Sequence, residues 1–164
     1  MNCKTKIKGD ISEAKALFEF QKRNIQVLTP WGDNSRYDLV IEINNNFYRI
    51  QAKTANEEHS GAIKCYCRSS YNHATNKRMN DYRNQIDFFF FYNFKYDISA
   101  LVPINIIGNR KCLNLRITPP KNLQNNVLYF DDFSIDKILC VETLHGASHR
   151  EEEKVQTTIA KAMR

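Results

Sequence analysis

In the stretch YDLVIEINNNFYRIQAKTA, residues 37–55, two runs with apolar residues at alternate positions flank three asparagines. Side chains alternate between the two faces of a strand, and asparagine tolerates the left-handed backbone of a tight turn. The stretch therefore predicts a β-hairpin with strands over residues 37–44 and 47–54. With a turn at Asn45 and Asn46, one face is apolar, and the other carries Asp38, Gln51 and Lys53, with Asp38 opposite Lys53.

A helix is predicted just before this hairpin. GDISEAKALFEFQKRN, residues 9–24, has apolar residues at helical spacing. We expect Ile11, Ala14, Phe18 and Ile25 to fall near one buried stripe, which Leu17 and Phe20 widen. Asp10 is expected to cap the helix, so that Glu13 lies one turn in and leans toward the buried side. Asp10 and Glu13 also fit a capping box, which would explain Glu13 without any chemistry.

The remaining segments complete a mixed α/β pattern. Strands are predicted over residues 25–29 (IQVLT), 62–70 (AIKCYCRSS), 86–94 (IDFFFFYNF) and 98–104 (ISALVPI). Residues 86–94 are apolar enough for a strand buried on both faces, and Pro103 places the end of its predicted partner at a sheet edge. Residues 132–144 (DFSIDKILCVETL) predict a helix that ends near Gly146.

The length of 164 residues suits one domain, which we place at residues 1–147. Residues 148–164 form a charged tail in which apolar residues recur at helical spacing. The tail could be a docked helix, an oligomer contact or a frayed end, and the sequence does not choose among these. No apolar run is long enough to span a membrane, and the first residues contain no apolar signal core. We therefore expect a cytoplasmic protein without a membrane partner.

The five cysteines are an odd number with irregular spacing. Cys65 and Cys67 are separated by one residue rather than two, and no second Cys or His pair lies at a matching distance. Structural zinc is therefore disfavoured, and reduced thiols are the expected state in a cytoplasmic compartment.

Positive charge is concentrated in parts of the chain, with a formal net charge of +6 and a pI near 9.1. Residues 60–80 and 98–130 contain basic side chains and no acidic ones, a distribution that suits a polyanion-binding face but also arises by chance. The candidate DNA-contacting residues are Arg36, Lys64, Arg68, Lys77 and Arg78. Tyr66 and Tyr71 are interleaved with them, and each is equally compatible with simple packing.

The polar side chains of the hairpin and the first helix have the chemistry that phosphodiester hydrolysis needs. Magnesium prefers oxygen ligands, which Asp38, the Gln51 side chain and the Ala52 backbone carbonyl would supply. Lys53 would orient water and stabilise the charged transition state, while Glu13 would bind the metal directly or through water. The ordinary alternatives are a cross-strand Asp38–Lys53 ion pair and a solvated Gln51.

In this arrangement the sequence resembles the PD-(D/E)XK nuclease superfamily, through Glu13 on a helix, Asp38 at the head of a strand and Gln51-Ala52-Lys53 in the (D/E)-x-K place. More narrowly, PWGDNSRYDLVIE, YRIQAKTA, NQIDFFFFYNF and ALVP are similar to homing endonucleases of cyanobacterial group I introns, over residues 8–103. The departure from the general pattern is Gln51, where most of the superfamily has an acidic residue and the intron branch has glutamine.

The resemblance implies a restriction-endonuclease-like fold, with a mixed central β-sheet flanked by helices. It also implies a site-specific endonuclease of double-stranded DNA that requires Mg²⁺, with Mn²⁺ as a substitute, and uses Glu13, Asp38, Gln51 and Lys53. The intron enzymes are homotetramers, so we expect a homo-oligomer, either a dimer or a tetramer. A restriction enzyme, a junction resolvase, a non-catalytic DNA-binding module and a protein–protein adaptor stay open as alternatives.

Overall fold

A computed structural model describes residues 3–32, 34–58, 61–68, 82–120 and 127–144 of the chain. The helices are α1 (Cys3–Gln21), α2 (Ile104–Ile107) and α3 (Ile135–Leu144), with a 3₁₀ helix at Phe130–Phe133. The strands are β1 (Gln26–Leu28), β2 (Leu39–Ile43), β3 (Asn46–Thr54), β4 (Asn56–Glu58), β5 (Ala62–Tyr66), β6 (Phe88–Asn93), β7 (Ile98–Pro103) and β8 (Cys112–Arg116). No helix within these ranges is long and apolar enough to cross a membrane.

The central sheet has five strands in the order β1-β2-β3-β6-β7. The β3–β6 pair is parallel and the other pairs are antiparallel, so the sheet is mixed, as the sequence predicted. Helix α1 packs against β3 and β6, and α3 packs against β7. A second sheet, in the order β4-β5-β8, contacts the first through β3 and β5.

The β2–β3 hairpin forms with the predicted faces but with a different register. Asn44 and Asn45 have φ angles of 51° and 62° and make the turn, instead of Asn45 and Asn46. Moving the turn by one residue shifts the strand pairing by two, which keeps every side chain on its predicted face. Leu39 pairs with Ile50, so Asp38 lies beside Gln51 and the predicted pairing of Asp38 with Lys53 is wrong.

Strand β6 is buried along its whole length, as the sequence predicted. All six residues of Phe88–Asn93 are buried, because β3 and β7 flank the strand in the sheet and other elements cover both faces. Strand β7 pairs with β6 and ends at Pro103, at the edge of the sheet, which also confirms the prediction.

Helix α1 begins six residues before the predicted range of 9–24. It starts at Cys3, which places Asp10 within the helix rather than at its N-cap. Only the first N–H groups of a helix lack a partner within the helix, and a residue in its interior cannot cap them. The predicted N-cap role of Asp10 and the capping box of Asp10 and Glu13 are therefore wrong. Glu13 therefore needs another explanation.

The buried face of α1 also differs from the predicted apolar stripe. Phe20 is fully buried, as predicted, but so are Ser12 and Ala16. Ile11 and Phe18, at the centre of the predicted stripe, are instead 43% and 56% exposed. Two of the buried residues are small, which lets the helix approach the sheet closely.

The second sheet explains two of the cysteines as packing residues. Cys65 and Cys67 point inward from β5 and the segment after it, and both are buried free thiols. Burial raises the pKa of Cys65 well above its usual value and that of Cys67 to about 12, so both are protonated at neutral pH. The intervening Tyr66 is exposed, as strand alternation requires.

The C-terminal part is less continuous than the predicted helix over residues 132–144. A 3₁₀ turn at Phe130–Phe133 and α3 at Ile135–Leu144 are separated by Ser134, whose extended backbone interrupts the helix. Gly146 and the predicted tail at residues 148–164 lie outside the described residues.

Candidate active site

Asp38 lies just before β2, where the hairpin strands diverge. Its backbone N–H donates to the carbonyl oxygen of Ile50 at 2.8 Å. Its carboxylate Oδ2 accepts hydrogen bonds from the Ala52 N–H at 2.8 Å and from the Gln51 side-chain Nε2. These bonds fix the carboxylate against β3, and within the described parts of the chain no hydrogen bond or ion pair to Oδ1 is found.

Gln51 forms the link between Asp38 and the backbone of β3. Its Nε2 donates both to Asp38 Oδ2 and, at 3.3 Å, to the carbonyl oxygen of Ala52. The side-chain N–H₂ group of Gln51 therefore bridges Asp38 Oδ2 and the Ala52 carbonyl oxygen. Both oxygens face the position that this nitrogen occupies.

Glu13 reaches the same region from α1. The preceding residue, Ser12, shares a hydrogen bond of 2.9 Å with the Thr54 hydroxyl of β3 and donates to the Lys8 carbonyl at 2.8 Å. Thr54 also donates to the Lys8 carbonyl, at 3.2 Å. This buried polar contact sets the position of the helix along β3, and with it the position of Glu13.

A groove of about 540 Å³ brings the two predicted carboxylates together. Glu13 and Asp38 line it, and Asp10 and Tyr37 are among its other lining residues. Glu13 is exposed along much of its side chain, whereas Asp38 is half-buried. The groove is open to solvent on one side, so it can admit an extended ligand.

The electrostatics of the groove disfavour two free negative charges. Desolvation raises the pKa of Glu13, and repulsion from Asp38 and Asp10 raises it further, against the attraction of Lys53. Desolvation also raises the pKa of Asp38, opposed by the Ala52 hydrogen bond, Lys53 and the Gln51 hydrogen bond. Carboxylates in this situation are stabilised by a nearby cation.

Lys53 follows Gln51 by two residues on β3 and shares its face of the sheet. Its ammonium lies over the ring of Tyr82, 5.3 Å from the ring centroid. It acts electrostatically on Asp38 and Glu13, as the opposing contributions to both pKa values show. The structure thus brings Glu13, Asp38, Gln51 and Lys53 into one neighbourhood.

The predicted DNA-contacting residues fall into two separate groups. Arg36 lies beside the carboxylate groove, with its guanidinium over the Tyr82 ring. Lys64 and Arg68 lie on and just after β5, and Lys64 stacks on the exposed ring of Tyr66. Lys77, Arg78 and Tyr71 lie outside the described residues.

This order of elements and side chains agrees with a family model for PD-(D/E)XK endonuclease, which matches residues 3–136. The chain belongs to the PD-(D/E)XK endonuclease family. No match was found among curated proteins. In this family, divalent metals are the usual cofactors of the reaction.

A solved structure supports the fold of this PD-(D/E)XK protein. The bacterial homing endonuclease I-Ssp6803I is similar with a TM-score of 0.63 and 23% sequence identity. The match covers 87% of this chain and 94% of that chain. The predicted restriction-endonuclease-like architecture is therefore confirmed.

Two residues near the PD-(D/E)XK site had no signal in the sequence. Ser12 is a polar residue in a fully buried position of α1, where its hydroxyl bonds the Thr54 hydroxyl and the Lys8 carbonyl. Tyr82 is buried and touches both Arg36 and Lys53, but it belongs to no periodic segment. Asp10, predicted as a cap, instead contributes charge to the groove.

Proposed function

We propose that this PD-(D/E)XK protein is a site-specific endonuclease of double-stranded DNA that uses Mg²⁺, of the homing type. The observation that carries the proposal is the convergence of Asp38 Oδ2 and the Ala52 carbonyl oxygen on the Gln51 side chain. The homing type is supported by the similarity in fold to I-Ssp6803I.

The residues at this point fit a small divalent cation. Asp38 and Glu13 provide carboxylate oxygens, and Ala52 provides a backbone oxygen, all ligands that Mg²⁺ accepts, with Mn²⁺ as a substitute. In the structure the amide nitrogen of Gln51 faces these oxygens as a hydrogen-bond donor. Rotation of the amide by about 180° would present its oxygen instead. When bound, the cation would neutralise developing negative charge on a phosphodiester.

The protein groups around this point have separate roles. Asp38 is held in place by the Ala52 N–H, so its orientation does not depend on the ligand. Glu13 extends the acidic surface along the groove, directly or through water. The Lys53 ammonium orients an attacking water and stabilises charge on the phosphoryl oxygens.

Contacts with DNA away from the reacting phosphate are proposed for two groups of basic residues. Arg36 lies next to the acidic groove and would contact a nearby phosphate. Lys64 and Arg68 lie on and just after β5, the central strand of the three-stranded second sheet. Such contacts with phosphates position DNA, and base contacts add specificity. Lys77 and Arg78 stay predictions from the sequence.

A homo-oligomer is part of the proposal, because one active site of this kind hydrolyses one strand. Cleavage of both strands at a specific site then requires at least two copies, in a dimer or a tetramer. Light scattering coupled to size-exclusion chromatography would measure this directly. A monomeric mass both with and without DNA would contradict it.

The proposed function is tested by cleavage of genomic DNA from the source organism in Mg²⁺, with sequencing of the newly formed ends. The wild-type protein is expected to give ends at one or a few sites. Lys53→Ala should lose these ends, with a cleavage rate reduced about a thousandfold and DNA binding retained. Absence of new ends in Mg²⁺ and in Mn²⁺, together with salt-sensitive DNA binding, would contradict the proposal and favour a non-catalytic DNA-binding module.

A further inference from the structure

We propose that Tyr82 is a positioning residue of the active site, whose aromatic ring holds the Lys53 ammonium and the Arg36 guanidinium beside the acidic groove. The inference rests on the proposed endonuclease function and deepens it. It assigns to Tyr82 a role that neither the family motif nor the charge pattern of the sequence contains.

The ring of Tyr82 contacts two cations from two different segments. The guanidinium carbon of Arg36 lies 4.4 Å from the ring centroid, and the ammonium of Lys53 lies 5.3 Å from it. Both distances are within the range of about 6 Å in which a cation is attracted to the negative face of an aromatic ring. Arg36 comes from the loop before β2 and Lys53 from β3, so the ring joins the two sides of the hairpin opening.

The ring itself is firmly fixed in the fold. Tyr82 is only 4% exposed, and its ring meets that of Phe89 edge-on at 5.1 Å. Phe89 in turn stacks on Phe91 at 5.4 Å. In the parallel β3–β6 register, Phe89 lies beside Gln51 and Phe91 beside Lys53. The aromatic rings therefore lie on the same face of the sheet as the side chains of Gln51 and Lys53.

The backbone of Tyr82 is fixed as well. Its carbonyl oxygen accepts hydrogen bonds from the N–H groups of Gln85 and Ile86, at 3.0 and 3.2 Å. The turn is attached to β3 by Arg49, which donates to Asp87 and to the carbonyl of Asn84. The Tyr82 ring is therefore rigidly supported. The Arg49 contacts also restrict movement of the first half of β3 relative to the turn at residues 82–87.

An aromatic ring holds a catalytic lysine differently from a carboxylate. An ion pair would direct the N–H groups of Lys53 toward the partner oxygen and neutralise its charge locally. A ring attracts the cation through its quadrupole and leaves the charge available to a phosphate or a water. Among the described residues, no hydrogen bond or ion pair to Lys53 is found, which makes the ring its supporting contact.

Arg36 is held by a second contact in addition to the ring. Its Nε donates to Gln85 Oε1 at 2.7 Å, from the same turn that carries Tyr82. The turn therefore orients the plane of the guanidinium, which suits a two-pronged contact with a phosphate. The class of ligand for this pair of cations is a DNA phosphodiester.

The test compares single-turnover cleavage of a DNA duplex carrying the mapped site by the wild type, Tyr82→Leu, Tyr82→Phe and Phe88→Leu. Leucine keeps an apolar side chain and removes the ring, whereas phenylalanine keeps the ring. Phe88→Leu is the matched control, because Phe88 is equally buried at 4% exposure and its neighbours in the β3–β6 and β6–β7 pairs are Ile50 and Pro103. Thermal unfolding of each variant reports the loss of packing separately.

Tyr82→Leu is expected to cleave about tenfold more slowly at saturating DNA, with its dissociation constant for DNA changed by less than about threefold. Tyr82→Phe should restore the rate to about that of the wild type. Phe88→Leu should lose stability comparably and keep its rate. A Tyr82→Leu rate equal to that of Phe88→Leu, or Tyr82→Phe as slow as Tyr82→Leu, would overturn the inference.

A second readout is independent of catalysis. The ring should shift the NMR resonances of the Lys53 side-chain methylene next to the ammonium, which are identified by their loss in Lys53→Ala. The shift should persist in Tyr82→Phe and disappear in Tyr82→Leu; an unchanged shift in Tyr82→Leu overturns the contact. Absence of cleavage by the wild type would overturn the proposed function and the positioning role of Tyr82 together. Normal cleavage by Tyr82→Leu would overturn the role of Tyr82 alone.

Discussion

Helix α1 and strand β3 both supply residues to the candidate active site, but their sequences specify their orientation in different ways. In β3, Ile50 and Ala52 are buried and Gln51 and Lys53 are not, as strand alternation predicts. In α1 the most apolar stripe faces outward, with Phe18 56% exposed, and the fully buried positions include a serine.

The faces of a strand are set by its pairing with neighbouring strands, whereas the buried face of a helix is set by how closely its side chains pack against the sheet. Pairing on both sides of β3 fixes the direction of every side chain. The face of α1 is selected by the close approach of Ser12 and Ala16 and by the hydrogen bond between Ser12 and Thr54. That selection places Glu13 in the groove with Asp38.

The largest effect in this comparison is expected from truncation of the two phenylalanines of α1. Phe20→Ala should lower the free energy of unfolding by about 3–5 kcal/mol, because Phe20 is fully buried with its ring 6.0 Å from that of Phe90. Phe18→Ala, on the exposed face, should change it by less than about 0.5 kcal/mol. Urea unfolding at protein concentrations low enough to limit self-association measures both; similar losses would contradict the assigned faces.

A smaller effect is expected from Gln51→Glu on the polar face of β3. The added charge should strengthen cation binding but crowd Asp38, so we expect part of the cleavage activity to remain and the half-saturating Mg²⁺ concentration to change by about tenfold. Cleavage rates across Mg²⁺ and Mn²⁺ titrations measure the change. Metal titrations identical to those of the wild type would mean that Gln51 is not a ligand.

The smallest effect concerns the start of β3, where Arg49 bonds Asp87 at 3.0 Å through two nitrogens. Desolvation raises the pKa of Asp87, but the hydrogen bonds from Arg49 outweigh it and leave the pKa below its usual 3.8. This carboxylate therefore stabilises the fold above about pH 3.8, and the stabilisation is lost as the pH falls through the lower pKa of the folded state. Asp87→Asn should cost about 1 kcal/mol at pH 7.

The pH dependence provides the check on that pair. The difference in unfolding free energy between the wild type and Asp87→Asn should be constant from neutral pH down to about pH 4 and shrink below it. Denaturant unfolding at a series of pH values measures this. A difference that grows as the pH falls would show that the Arg49–Asp87 contact does not stabilise the charged form.

The sheet was largely predictable from sequence, because alternation and the apolar run of β6 define strands and faces directly. The hairpin register was not, since three consecutive asparagines allow two turns and only the folded backbone selects Asn44-Asn45. The residues of the candidate site were recognisable as a motif. Tyr82 was not, because its importance comes from contacts between segments distant in sequence.

The assignment of the active site is tested by Mg²⁺-dependent cleavage of the mapped DNA site by Asp38→Asn and Asp10→Asn. Both changes remove one negative charge from the same groove, and asparagine can still accept the hydrogen bond from the Ala52 N–H. We predict that Asp38→Asn lowers the cleavage rate about a thousandfold while DNA binding persists, and that Asp10→Asn stays within a few-fold of the wild type. Cleavage by Asp38→Asn at the wild-type rate would contradict the assignment of the active site.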